Sequence, residues 1–148
     1  MKELKVFDQK LYVIAQAIAD TIVPSGGAFQ PGARDVDAAL LFDNYLDQFG
    51  KLPLKLVKSA LYMLQYVPLL TRLRSFTAMG PQQRLRYLEG WENSRFATKR
   101  NLFLMLKMLI LMPFYSDDAI TQAMKYRPAC LRPDDCPYCE SMGQEQTK

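Results

Sequence analysis

The segment Phe96–Tyr115, FATKRNLFLMLKMLILMPFY, decides how the rest of the chain is read. From Leu102 onward it is apolar almost all round, interrupted by Lys107 and Pro113. A helix apolar on every side is expected to be buried, among other helices or against another chain. A membrane span needs about 20 apolar residues. This run is shorter, charged near its middle and preceded by Lys99 and Arg100. The expectation is an all-α protein, a single-domain bundle of about five to six helices around this central apolar helix.

Outward from that segment the same periodicity recurs. Leu11, Ile14, Ala15, Ile18 and Ile22 mark one buried face of a first helix, from Asp8 to Val23. Pro24, Ser25, Gly26 and Gly27 end it, because proline cannot continue the ladder and glycine accepts left-handed dihedrals. Asp35 is a natural cap for a second helix, with Asp37 in its first turn and Val36, Ala39, Leu40, Leu46 and Phe49 facing inward. Pro53 opens a third helix with Leu54, Val57, Leu61, Leu64 and Val67 along its seam. Pro68 falls inside that pattern and predicts a kink or break near Tyr66. Gly80 and Pro81 start a fourth helix with Leu85, Leu88 and Trp91 on one side. Ser94 is the expected cap of the central helix. Ser116 or Asp117 is the expected cap of a short last one, Asp118 to Lys125. No strand pattern and no internal repeat is evident.

From Arg127 the composition changes to RPACLRPDDCPYCESMGQEQTK, with all three cysteines and a polar end. This divides the chain into a helical domain, residues 1–128, and an extended C-terminal tail, residues 129–148, that lies on something or is mobile beyond Glu140.

The composition excludes more than it proposes. Apolar residues make up 49%, and there are eight Phe, eight Tyr, one Trp and eight Met among 148 residues. So much apolar material hints at a surface covered by a partner, although a broad core would also absorb it. The net charge is +4, but the basic residues are scattered over solvated faces, without the dense clusters of a nucleic-acid binder. Histidine is absent. Ser-His and Cys-His pairs, histidine-ligated haem and histidine zinc sites are thereby excluded within the chain. The first residues carry no secretory signal and no twin-arginine pair. The expected location is the cytoplasm, or outside it only with a partner that carries the signal.

Three features invite chemistry. Cys130, Cys136 and Cys139 form C-x5-C-x2-C. A closed zinc site wants four ligands, so Asp134, Asp135, Glu140 or a partner residue would have to complete it. An iron–sulfur site stands on the same terms, and a Cys136–Cys139 disulfide would suit an exported chain. A tail without metal is the favoured reading. Gly26 and Gly27 follow a helix rather than a strand and lack the motif of a phosphate loop. Asp43 and Asp47 share a helix face, and a solvated outer face accounts for them better than a catalytic or metal pair. Phe114, Tyr115, Tyr126 and Tyr138 near the end are candidate anchors for a partner, with core packing as the alternative, and Trp91 and Pro128 join the candidate partner contacts.

Several stretches together resemble one family. Ala17–Pro24 with Gly26, Gly27 and Ala28 resembles the opening of the gluconate 2-dehydrogenase subunit 3 type, the small subunit of membrane-bound sugar dehydrogenases. Arg84–Trp91, RLRYLEGW, and Ser94–Phe103, SRFATKRNLF, resemble its next two segments. Phe114 and Tyr115, followed by Tyr126, Arg127 and Pro128, resemble its close. The likeness runs from Leu11 to Pro128. A similar domain precedes the flavin domain of long-chain alcohol oxidase-like members of the glucose-methanol-choline oxidoreductases. The sequence departs at Lys125, where a glycine usually precedes the tyrosine, and the cysteine tail is not part of the pattern.

The resemblance implies a helical accessory subunit with no catalytic residue and no cofactor of its own. It would bind and stabilise a large flavoprotein subunit that carries the FAD and oxidises a sugar or alcohol. The alternative is a free-standing metal- or redox-responsive protein acting through its cysteines. A third reading is a membrane-surface protein with amphipathic helices.

Overall fold

A computed structural model gives the fold. It describes residues 4–26 and 31–124, and of residues 71 and 72 the backbone alone. The described residues form six α-helices and one 3-10 turn, with no strand: α1 Gln9–Ile22, α2 Ala38–Leu46, α3 Lys51–Arg72, the turn Phe76–Ala78, α4 Pro81–Glu92, α5 Ala97–Tyr115 and α6 Asp118–Ala123.

Helix α1 follows its periodicity. Asp8 caps it by accepting the Leu11 N–H at 2.8 Å, and Leu11, Ile14, Ala15 and Ile18 are buried. Past its end, Ala33 N–H reaches back to the Val23 carbonyl at 3.0 Å. Gly32 packs so closely on Ser25 that an added Cβ would lie 2.5 Å from the Ser25 backbone. The loop is tied down further by Arg34, whose guanidinium donates twice to Asp20, at 2.6 and 3.1 Å.

Helix α2 begins later than its sequence suggests. Asp37, not Asp35, occupies the N-cap position, in a left-handed conformation with φ 54°. Aspartate tolerates that region better than most residues. The Asp35 carboxylate instead accepts the Gly32 N–H at 2.8 Å and closes the preceding turn. In α3 the expected break near Tyr66 does not occur. The helix runs through Pro68, which is buried, and ends at Arg72 with Leu73 as its cap. The missing N–H costs one ladder bond, and packing of the buried Val57, Leu61 and Leu64 on the rest of the core holds the helix. Helix α4 buries Tyr87, Leu88 and Trp91, whereas Leu85 is exposed. Phe96 caps α5, and Ser94 lies outside it, its hydroxyl accepting the Phe96 N–H at 3.3 Å. Asp117 caps α6 by accepting from Ala119 at 2.9 Å.

Helix α2 packs between α1 and α5. Helix α4 touches α5 and α1, α3 lies against α1, the 3-10 turn and α5, and α6 closes on the end of α5. Their inner faces share one core in which Phe42, Phe76, Trp91, Phe103, Phe114 and Leu61 are among the largest fully buried side chains. The chain from Lys5 to Phe7 is pinned to α2 by Asp43. That residue has 0% exposure, and its carboxylate accepts three backbone N–H groups, from Lys5 and Phe7 at 2.6 Å and from Val6 at 3.0 Å. The solvated face expected for Asp43 and Asp47 therefore holds for Asp47, which is exposed and pairs with Lys5 at 3.4 Å. It fails for Asp43, because a carboxylate with three donors is stable in the core.

Candidate interaction surfaces

Helix α5 is not buried all round. Phe103, Leu106, Ile110 and Phe114 point into the core, spaced three or four apart. Leu102, Met105 and Leu109 lie half-buried beside them. On the opposite side Ala97, Asn101, Leu104, Met108, Met112 and Tyr115 are exposed, also three or four apart, with Met108 at 57%. From Asn101 to Tyr115 this outer strip carries no charge, whereas the solvent face of a surface helix ordinarily does. Tyr45 of α2 extends the strip. Its hydroxyl lies 3.9 Å from the Met112 sulfur, and its ring meets Phe49 edge-on with centroids 5.4 Å apart. Lys107, the one charge in the apolar run, turns aside to Glu92 of α4 at 3.0 Å.

A second apolar face lies on α1 and the C-terminal half of α3. Met63, Tyr66, Leu70 and Leu73 are exposed in a row, with Leu70 and Leu73 at 87% and 88%. Val13 of α1 is exposed as well. Between the helices runs an open cleft of about 300 Å³, lined by Gln9, Lys10, Val13, Ile14, Tyr66 and the Gln65–Thr77 pair. Gln65 is buried and fully engaged there. Its amide donates to the Thr77 hydroxyl at 2.8 Å, and its oxygen accepts the Thr77 N–H at 3.3 Å. Tyr62 and Tyr66 stack at 6.1 Å. Partial removal from water, then the Asp8 carboxylate and Tyr66, push the Tyr62 hydroxyl above its usual pKa of 10.0.

Leu73 stands out on this face. It caps α3 at φ 55°, a left-handed position that usually goes to glycine. A leucine there is strained and, among the described residues, gains little packing in return.

The candidate contacts from the sequence divide. Trp91 and Phe114 lie in the core with 2% and 1% exposure, and for Phe114 this is the alternative to a partner contact. The Trp91 ring meets Tyr87 edge-on and lies beneath the Lys99 ammonium, 4.8 Å from its centroid. Its indole N–H has no hydrogen-bond partner among the described residues. Tyr115 is exposed on the outer strip of α5. Tyr126, Pro128, Cys130, Cys136, Tyr138 and Cys139 lie outside the described residues, as does the boundary between domain and tail. Among the described residues no three His, Cys, Asp or Glu side chains cluster as a metal site would require, and no helix is long and apolar enough to cross a membrane. Sequence reasoning missed the α1–α3 face, because its leucines read equally well as core.

The architecture is thus that of an all-helical bundle with two apolar faces left uncovered by its own described residues. Residues 11–130 match the family model described as gluconate 2-dehydrogenase subunit 3, and the chain belongs to that family. Membership agrees with the role of an accessory subunit in a dehydrogenase complex, and the matched range coincides closely with the stretch that carried the resemblance. No curated protein and no solved structure is significantly similar to the chain.

Proposed function

We propose that this chain is the non-catalytic small subunit of a FAD-dependent sugar or alcohol dehydrogenase, which binds and stabilises the large flavoprotein subunit through the α1–α3 face. The flavin and the catalytic residues belong to the partner, and this chain holds no cofactor. The observation that carries the reading, within a family of dehydrogenase subunits, is Leu73. A leucine kept exposed at a strained cap position is accounted for by a surface that is covered in the complex. Beside it Tyr66 and Leu70 supply an aromatic and an aliphatic anchor, the residue types that carry interface energy. Tyr115, with Tyr126 and Pro128, is proposed as a further contact region.

The small subunit acts by mass action. It binds the folded flavoprotein and not the unfolded one, so each bound copy draws the partner toward its folded state.

Co-expression with the flavoprotein tests this. The pair is expected to co-purify, and the flavoprotein to lose solubility or flavin when expressed alone. Tyr66→Asp and Leu70→Asp should each abolish capture while the small subunit keeps its helical circular dichroism. A flavoprotein that folds, binds FAD and turns over normally without this chain would overturn the reading.

A further inference from the structure

We propose that the outer strip of α5 is a self-association surface, on which a second copy of this chain packs its own α5 in antiparallel orientation about a two-fold axis near Met108. The argument is one of charge. The strip itself is neutral, but its two ends are not. Arg95 and Arg100 are exposed at the N-terminal end, and Asp118 is exposed, beside Asp117, just past the C-terminal end. The basic end is unfavourable for a lone helix. The first turn of α5 contains Lys99 and Arg100 and no acidic residue, although the positive end of a helix dipole disfavours cations. Asp117 and Asp118, just past its last turn, start α6, where Asp117 is the cap and Asp118 lies in the first turn.

An antiparallel copy offsets the cations at the α5 N-terminus. It brings the negative end of one α5, with Asp117 and Asp118, beside the positive end of the other, with Arg95 and Arg100. The register agrees. At 1.5 Å and 100° per residue, Arg100 lies about 12 Å before Met108 and Asp118 about 15 Å beyond it, on the same side of the strip, so a two-fold axis at Met108 brings the two together. Leu104 then faces Met112 of the second copy, and Met108 faces its own equivalent. An isologous contact of this kind needs no other surface. Among the described residues neither Arg95 nor Asp118 has an ion-pair partner, so both are available. The α1–α3 face stays open for the flavoprotein.

One helix face is smaller than the ~800 Å² per partner of a standard stable complex, so the pair should form at micromolar concentration and weaken as salt rises. The test does not depend on the flavoprotein. Sedimentation equilibrium of the full chain alone is expected to show a monomer–dimer equilibrium. Met108→Arg places two like charges on the axis and should raise the dissociation constant about ten-fold or more. Arg100→Glu and Asp118→Arg should each weaken the pair several-fold. Their combination should restore it to within about three-fold of the parent, because each copy then carries the swapped charges at both ends. Circular dichroism confirms that each variant is folded. A monomer at every concentration overturns the proposal. So does a dimer indifferent to Met108→Arg, or charge effects that add rather than cancel. Loss of flavoprotein capture by Met108→Arg in a monomeric chain would give the strip to the larger subunit instead.

Discussion

The backbone N–H of Phe7 donates to the carboxylate of Asp43 at 2.6 Å across 36 residues of sequence, and that carboxylate is wholly buried. The contact fixes the start of the chain over α2. With it comes the Phe7 ring, which meets Phe42 edge-on at 5.3 Å, and a second tie from the Lys58 ammonium to the Val6 carbonyl at 2.7 Å. Asp43→Ala strands three N–H groups at once. The expected loss is about 3 kcal/mol, since each stranded donor costs about 1–3 and part is recovered by water. Chemical denaturation of the parent and variant measures it, and a loss below about 0.5 kcal/mol would mean that the N-terminal segment is not held this way.

Leu73 offers the reverse case. Leu73→Gly relieves the left-handed strain and gives up little packing within the described residues, so the isolated chain should gain about 1 kcal/mol. The same change removes an anchor from the α1–α3 face, and capture of the flavoprotein should weaken. A melting curve and a pull-down on one variant therefore move in opposite directions. A stability loss would show that Leu73 packs on the chain itself.

Gly32→Ala tests the loop between α1 and α2. Its new methyl would collide with the Ser25 backbone, which cannot swing aside as a flexible side chain would. Overpacking of this kind costs about 1–3 kcal/mol. The loss should be read in a denaturant titration, and hydrogen exchange should rise first at Ala33, whose N–H donates to the Val23 carbonyl.

Gln65→Leu removes both hydrogen bonds to Thr77 and leaves the Thr77 N–H without its acceptor. The 3-10 turn is the element that depends on them. A loss of about 1–2 kcal/mol is expected. Lys107→Ala is the matched control. Its ion pair with Glu92 is partly exposed, so it should cost no more than about 1 kcal/mol.

Much of the helical plan is legible in the residues. The seams of α1 and α3 and the start of α1 next to Asp8 follow from apolar spacing and local backbone chemistry. The start of α2 does not, because Asp35 and Asp37 are equally good caps by residue type. The choice fell to Asp35's bond with Gly32 and to Ala38, whose N–H reaches the Ala33 carbonyl at 2.8 Å. The continuation of α3 through Pro68 was illegible for a similar reason: proline's local penalty is readable, and the packing that overrides it is not.

By itself the sequence determined that this chain is helical, lacks imidazole chemistry, and carries more apolar residues than charged ones. Those properties depend on residue type and on neighbours three or four places away. Only the tertiary structure decided which apolar residues are inside. Trp91 and Phe114 went to the core and Met108 and Leu73 to the surface, because burial depends on which helices lie opposite, and helical spacing cannot encode that.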